Sequence, residues 1–542
     1  MIQVYKRLYG FKLPQQLIAA LRIYQGSVRG YLGWFLRTRT YRIGGKLVER
    51  DRLPVRALQC SMAGQIVVVL LLITDWFIRG TVGHWAFGTA LLVGYPVITA
   101  YGFALVVLLS KGFWFVLHPK QFGKTVVAHI LEQQVVRLRV KRRFTVVAVA
   151  GSVGKTTTKM AIAQLLGHNL RVRYQAGNYN DRVTVPLVFF CLPQPSLLNP
   201  FAWMRAFGEI AASLHHPYPY DVVVVELGTD GPGQMERFAY IRPDITVLTA
   251  ITPEHMVNFG SIDAVAAEET SVFEYSRHVL VNTDLVEPKY LVGKTFVGYS
   301  QRKKTAHSYY GQSSKLSLGG QFLQIHAPSG GMDAYTRFVG EQGAASVVAA
   351  AAVADILGMK RSIIAEAIDR LEPFAGRMQV LEGIKGSRLI DDTYNSSPVA
   401  AKAALDVLYG SRATQRIAVL GSMNEMGGYA REAHKEVGMH CNPKKLDFVL
   451  TLGRDAERWI APAARDAGCV VRSFSSQAAC AAFIRKHLKQ GAVVLVKGSQ
   501  NGVFAEEVVK QLLAHPVDAK KLVRQSSDWL RRKVKQQKTD TL

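Results

Sequence analysis

Cysteine is scarce in this chain: five in 542 residues (Cys60, Cys191, Cys441, Cys469 and Cys480), none of them in a CxxC pair. An odd, scattered set offers neither a disulfide framework nor a thiolate zinc site, and it suits a reducing cytoplasm. The first long apolar run begins only near residue 62, which argues against a cleavable secretory leader. Acidic residues are also in short supply, with 40 Asp and Glu against 67 Lys and Arg and a net charge of +27. The excess is uneven. Residues 1–56 carry twelve Lys or Arg against Glu49 and Asp51, and the tail KKLVRQSSDWLRRKVKQQK (520–538) is basic too. Such charge suits nucleic acid or the anionic lipid beside a membrane segment.

Two apolar runs favour lipid. GQIVVVLLLITDWFI (64–78) is apolar apart from Gln65, Thr74 and Asp75, and WAFGTALLVGYPVITAYGFALVVLLS (85–110) has no charge. A bilayer takes about 20 apolar residues; the second run meets this, and the first reaches a usable length with residues 61–63. A buried hairpin in a soluble domain is the other reading. The short loop RGTVGH (79–84) holds only Arg79, whereas Arg50, Arg52, Arg56, Lys111, Lys120 and Lys124 crowd the outer flanks. The positive-inside rule then predicts two spans with both termini cytoplasmic. The segment KTVVAHILEQQVVRLRVKRR (124–143) could lay a helix on the membrane or on the catalytic body.

The stretch RFTVVAVAGSVGKTTTKM (143–160) changes character. TVVAVA reads as a buried parallel strand. In GSVGKTTT, Gly151 and Gly154 let the backbone turn around Ser152 and Val153. A helix starting near Lys155 points its positive end at phosphates. Lys155 would neutralise β/γ-phosphate charge, Thr156 would place a hydroxyl on Mg²⁺, and Thr157 completes the turn. VVVVEL (222–227) is a second buried strand and ends in Glu226. Its carboxyl end is where a nucleotide-bound metal is expected. A third strand, DITVLTAI (244–251), leads to His255 on the same sheet edge.

Seven blocks occur in order: GSVGKTTTK, ELGTDGPGQME, ITPEHMVNFGS, AGRM, DDTYNSSPVAAKAALDVL, AVLGSMNEMG followed by EAHKEVG, and VKGSQ. Together they resemble the Mur ligases, and most nearly the MurF type, which joins D-Ala-D-Ala to UDP-N-acetylmuramoyl-tripeptide. The likeness covers about residues 143–513. It implies an α/β fold: a P-loop central domain (144–374) and a Rossmann-like C-terminal domain (375–515). Before these stand a basic segment (1–60), two transmembrane helices (61–112) and a basic linker (113–143); a basic tail (516–542) closes the chain. The implied reaction activates a peptide carboxylate with ATP to an acyl phosphate, which an amine then attacks. By resemblance Thr156, Glu226 and His255 contact Mg²⁺, and Arg377, at the hinge, approaches the phosphates. Asp392 and Asn395 reach the nucleotide, while Asn178, Asn180, Tyr394 and Lys497 face substrate.

Departures from the family pattern stand beside these matches. The family's carbamylated lysine is replaced by Glu269, which is expected to stand in as a metal-binding carboxylate and to remove any need for bicarbonate. Gln342, Gly343 and Ser346 replace residues that help hold adenine, and Arg182 and Thr184 replace a usual Glu and Gly. The soluble sugar-nucleotide domain of the MurF type is not recognisable before residue 143. The expected substrates are a sugar-nucleotide peptide and D-Ala-D-Ala or another amine. Lipid is the further partner, other cell-wall enzymes are additional candidates, and nucleic acid is not expected. The expected place is the bacterial inner membrane, with the catalytic domains in the cytoplasm. A ligase for another polymer, such as poly-γ-glutamate, and a non-catalytic ATP-binding scaffold for cell-wall enzymes remain open on these residues.

Overall fold

The computed structural model describes residues 119–540, apart from 178, 197–198, 303–307, 315–316, 329, 425 and 501. The two expected spans and the basic segment before them lie outside the described residues, as does Asn178. Among the described residues, no helix is long and apolar enough to cross a membrane.

Residues from Val127 onward form one unit built on two sheets. The first contains β1 (Thr145–Ala150), β2 (Val172–Arg173), β3 (Val222–Glu226), β4 (Ile245–Leu248), β5 (His278–Asn282), β6 (Val297–Ser300), β7 (Tyr309–Ser313), β8 (Gln321–Ala327) and β9 (Gly330–Thr336). Their spatial order is 2-3-1-4-5-6-7-8-9. Strands β1 to β7 pair in parallel, and β8 and β9 add antiparallel edges. The β-branched runs at the centre suit this position because both of their faces are covered. Val146 and Ala148 enter one core and Val147 and Val149 the other.

Helix α1 (Pro119–Lys141) settles the question left by its sequence. Ala128, Leu131, Val135 and Leu138 are buried in the core beside the first sheet, at the three- and four-residue spacing of one helical face. Arg139 ties the helix end to the sheet, donating to the carbonyls of Phe144 (2.7 Å) and Arg242 (2.9 Å). Helix α2 (Lys155–Gly167) follows β1, α3 (Ile262–Thr270) lies behind the glycine turn between them, and α4 (Gly340–Ile356) packs on α2.

The second sheet holds β10 (Gln379–Gly383), β11 (Ser387–Asp392), β12 (Arg416–Gly421), β13 (Phe448–Leu452), β14 (Val471–Phe474) and β15 (Val493–Lys497), in the order 10-11-15-12-13-14. All neighbours are parallel except β10 with β11. Helix α5 (Pro398–Gly410) starts at a Ser397 cap. Helix α6 (Ala430–His440) carries a buried His434, and α7 (Ser527–Asp540) closes the described chain.

His434 explains part of the AVLGSMNEMG…EAH block. Its Nε2 accepts the Met423 amide at 2.9 Å, so Nδ1 holds the hydrogen and donates to the Ala430 carbonyl at 2.6 Å. Burial is the main cause that lowers its pKa. The folded protein therefore resists a proton that the unfolded chain accepts. Stability is expected to fall as pH drops below about 6.5, by at most ~1.4 kcal/mol per pH unit from this group. Melting curves at pH 7.5 and 5.5 should show this loss, and His434→Gln should start lower but respond less to pH. An equal pH response in the variant would refute the assignment.

Candidate active site

The carboxyl edges of the two sheets border a shared cavity of about 470 Å³. From the first sheet come Ser152 to Thr157, Asn180, Glu226, Asp230, Glu254 and His255. From the second side come Arg377, Asp392, Tyr394, Asn395, Asn424 and Lys497. The helix N-terminus of α2 faces this space. The amides of Lys155, Thr156 and Thr157 begin that helix and have no acceptor one turn earlier, the arrangement that favours an anion.

The turn is held from behind. Gly151 and Gly154 take φ values of 115° and 88°, which side chains rarely allow. A Cβ on Gly151 would stand 2.5 Å from Thr249 Oγ1 and 2.8 Å from the Ala250 amide. The Gly151 amide donates to Glu269 Oε2 at 2.8 Å, and the Ser152 amide donates to the Ala250 carbonyl at 2.9 Å. Both amides are thus spent inside the protein, and Gly151 does not line the cavity. A phosphate cradle here would begin further along than the glycine pattern implies. Lys155 Nζ donates to the Gly151 carbonyl and lies 3.5 Å from Glu254 Oε2. Burial works most strongly to lower the lysine's pKa, but Glu254, Glu269 and Glu226 together raise it, so the cation persists.

Glu226 is 2% exposed. Its Oε1 accepts from Thr156 Oγ1 at 3.2 Å and from Asn180 Nδ2 at 3.4 Å. Its Oε2 pairs with Lys159 Nζ at 3.1 Å. Burial, the largest influence, opposes its ionisation; Lys159, Lys155 and Arg377 outweigh this and lower its pKa. A buried ionised oxygen beside a threonine hydroxyl suits a hard cation. Among the described residues, no three His, Cys, Asp or Glu side chains are gathered as a metal cage. Mg²⁺ commonly binds through one or two carboxylates with phosphate and water, so Thr156 and Glu226 fit a nucleotide-borne ion without such a cage. His255, with an unusual φ of 47°, points Nε2 at Asp230 Oδ1 (3.4 Å) and Glu254 Oε1 (3.5 Å). Those two acids lie inside the ELGTDGPGQME and ITPEHMVNFGS blocks, yet sequence reasoning missed them as site residues.

Other expected residues have partners that change their roles. Glu269 is buried behind the turn rather than on the cavity wall; burial chiefly raises its pKa to about 7, and Lys155 counteracts it. Lys497 Nζ is bound to Asp392 Oδ2 at 2.6 Å and to the Asn395 carbonyl at 3.0 Å, so it holds the loop that carries Asn395. The Arg377 guanidinium carbon lies 4.0 Å from the Tyr394 ring centroid. Arg182 forks onto Glu132 of α1, with Nη2 to Oε2 at 2.9 Å, while Thr184 Oγ1 donates to Asp181 Oδ1 at 2.7 Å. These two departures therefore brace the loop around Asn180. Gln342, Gly343 and Ser346 line the cavity beside Phe338 and Val339.

Two family models match the chain: the Mur ligase middle domain over residues 205–354 and the Mur ligase glutamate ligase domain over residues 376–500. The chain belongs to the Mur ligase family. The UDP-N-acetylmuramoyl-tripeptide–D-alanyl-D-alanine ligase of Bacillus subtilis is 25% identical over 387 residues, 69% of this chain and 76% of that protein. The ligase of the same name from Synechocystis is 28% identical over 403 residues, 72% and 81% of the two chains. MurF from Acinetobacter baumannii shares the fold at a TM-score of 0.59 and 22% identity, over 71% of this chain and 80% of its own. MurF ligase from Thermotoga maritima, solved with ADP, also gives a TM-score of 0.59 at 22% identity, over 71% and 82%.

Within this Mur ligase site, Glu269 yields a direct test. Glu269→Ala removes the acceptor for Gly151 and should weaken binding of an ATP analogue at least tenfold, about 1.4 kcal/mol. Glu269→Gln keeps an acceptor and should stay within about threefold of the parent, since one neutral hydrogen bond is worth about 1 kcal/mol. Calorimetric titration distinguishes them; parent-like binding by the alanine variant would remove the bracing role.

Proposed function

We propose that this chain is an ATP-dependent ligase of peptidoglycan precursor synthesis that adds D-Ala-D-Ala to the peptide carboxylate of UDP-N-acetylmuramoyl-tripeptide. The observation that carries the reading is the meeting of Lys155, Thr156 and Glu226 with Arg377, Asp392 and Tyr394 around one cavity. ATP is a substrate here. Lys155 and the amides at the start of α2 would neutralise its terminal phosphates, the main demand of phosphoryl transfer. Mg²⁺ carried with the nucleotide would add charge neutralisation beside Thr156 and Glu226.

Arg377 would bring positive charge from the hinge side, with Tyr394 beneath it. Asn180 would orient the peptide near Glu226, and His255 would stand across the cavity with Glu254 and Asp230. Asp392, fixed by Lys497, and Asn395 would face the nucleotide from the C-terminal domain. Attack of the amine on the acyl phosphate forms the amide bond and expels phosphate; the two electrons of the broken C–O bond leave on the phosphate oxygen, and the amine loses a proton. Glu269 would act through Gly151. With glutamate in place of a lysine, no carbamate is required.

Purified full-length protein should release phosphate only when ATP, UDP-N-acetylmuramoyl-tripeptide and D-Ala-D-Ala are all present, without stimulation by bicarbonate. Lys155→Ala should lower kcat by at least a hundredfold, in the range of lost transition-state charge stabilisation. Phosphate release independent of the dipeptide would overturn the acceptor assignment. The same reading places the enzyme at the bacterial inner membrane through residues 61–112, with lipid against its basic flanks and other cell-wall enzymes within reach. Alkaline carbonate washing of membranes should leave the full-length chain in the pellet; its release into the supernatant would rule out the spans.

A further inference from the structure

The family match ends at residue 500, yet Arg524 and Lys533 of the basic tail are folded into the site's foundation. Arg524 is 9% exposed. Its Nη2 donates to the Thr393 carbonyl at 2.6 Å and its Nη1 to the Tyr394 carbonyl at 3.1 Å. The same guanidinium forks onto Glu506, with Nε to Oε1 at 2.9 Å and Nη2 to Oε2 at 2.7 Å. Glu506 is fully buried and also lies 2.7 Å from Lys533 Nζ of α7.

The clamp reaches the hinge as well. The Tyr394 amide donates to the Gly376 carbonyl at 3.0 Å. A Cβ on Gly376 would meet Val523 Cγ1 at 2.9 Å and the Tyr394 amide at 3.0 Å. Arg524 itself has a φ of 56°, a strained setting for a non-glycine residue that persists only where its surroundings hold it. A continuous line thus runs from the tail through the Tyr394 backbone to its ring, and from that ring to Arg377 in the cavity.

We propose that Arg524 is a positioning residue: the C-terminal tail fixes the Thr393–Tyr394 backbone against the hinge and thereby aims Arg377 into the nucleotide cavity. A plain ion pair between tail and body would need only Glu506. The two carbonyl contacts require the planar five-donor fork of arginine, and a lysine could keep the pair with Glu506 while losing the fork. Arg524→Lys is therefore the informative variant, because Lys533 and the new lysine still compensate Glu506. Arg524→Ala is the stronger perturbation.

The first measurement is amide exchange in the full-length protein without ligand. Exchange across residues 376–395 should quicken at least tenfold in Arg524→Lys and Arg524→Ala, with β12 and β13 unchanged. Unchanged exchange at 376–395, or equal quickening throughout the C-terminal domain, overturns the proposal. The second is the affinity for a non-hydrolysable ATP analogue, which rests on the ATP reading above. Arg524→Lys should weaken it about fivefold, but by less than twofold in an Arg377→Ala background, since residues acting through one another do not add. Additive losses would overturn the route through Arg377. Failure of the parent to bind the analogue would refute the ATP reading, while the exchange result would still decide the clamp.

Discussion

The site depends on keeping a carboxylate ionised inside the protein. Glu226 ends β3 with almost no contact with water, where burial alone favours its neutral form. Lys159, one turn into α2, supplies the nearest compensating charge at 3.1 Å. An unpaired buried charge would be strongly destabilising, and removing one member of such a pair commonly costs about 3–5 kcal/mol. The pair consequently ties helix α2 to the central sheet as it prepares the cavity's acceptor. Thr156 and Lys155 occupy the same first turn, so their placement follows from that tie.

Arg377 adds a further consequence. It favours the ionised form of Glu226 even though it stands at the start of the C-terminal domain. Lys159 and Lys155 of the acid's own domain do most to keep it ionised, and Arg377 adds to them from the second domain. Arg377 is itself held over Tyr394, and its Nε makes no hydrogen bond although buried. Packing on the ring holds it at the cavity wall.

The local grammar of the site was readable from sequence. A β-branched strand, a glycine turn, Lys155, Thr156 and a helix occur together in TVVAVAGSVGKTTTKM, and each follows from residues close in the chain. The strands ending at Glu226 and before His255 were similarly legible from their apolar runs. What escaped were pairings between distant residues. Glu269 meets Gly151, Arg182 meets Glu132 and Lys497 meets Asp392. No helical or strand period encodes such meetings, because they are set by the way whole layers stack. The basic tail belongs with these: its charge was visible, whereas the acid that receives Arg524 and Lys533 stands well before them in the chain. Asp230 stood within a recognised block, but only the fold brings it to His255, whereas Glu254 is that histidine's neighbour in the chain.

Both sheets present their carboxyl edges to the cavity, and this explains why basic groups gather there from two domains. On the second sheet, β11 and β15 are in register with Asp392 opposite Lys497, so their ion pair is a direct result of parallel pairing. A helix that follows each parallel strand begins at that same edge. Thus α2 begins with Lys155 after β1, and α5 begins after β11 behind Ser397, with Ser397 and Ala400 also on the cavity wall. Two helix N-termini therefore face one space, each with a partial positive charge. A site that must bring a polyphosphate next to a second carboxylate has to suppress repulsion between anions. Opposed helix ends do so with backbone dipoles that cannot be titrated away, and the lysine and arginine charges then need only finish the alignment.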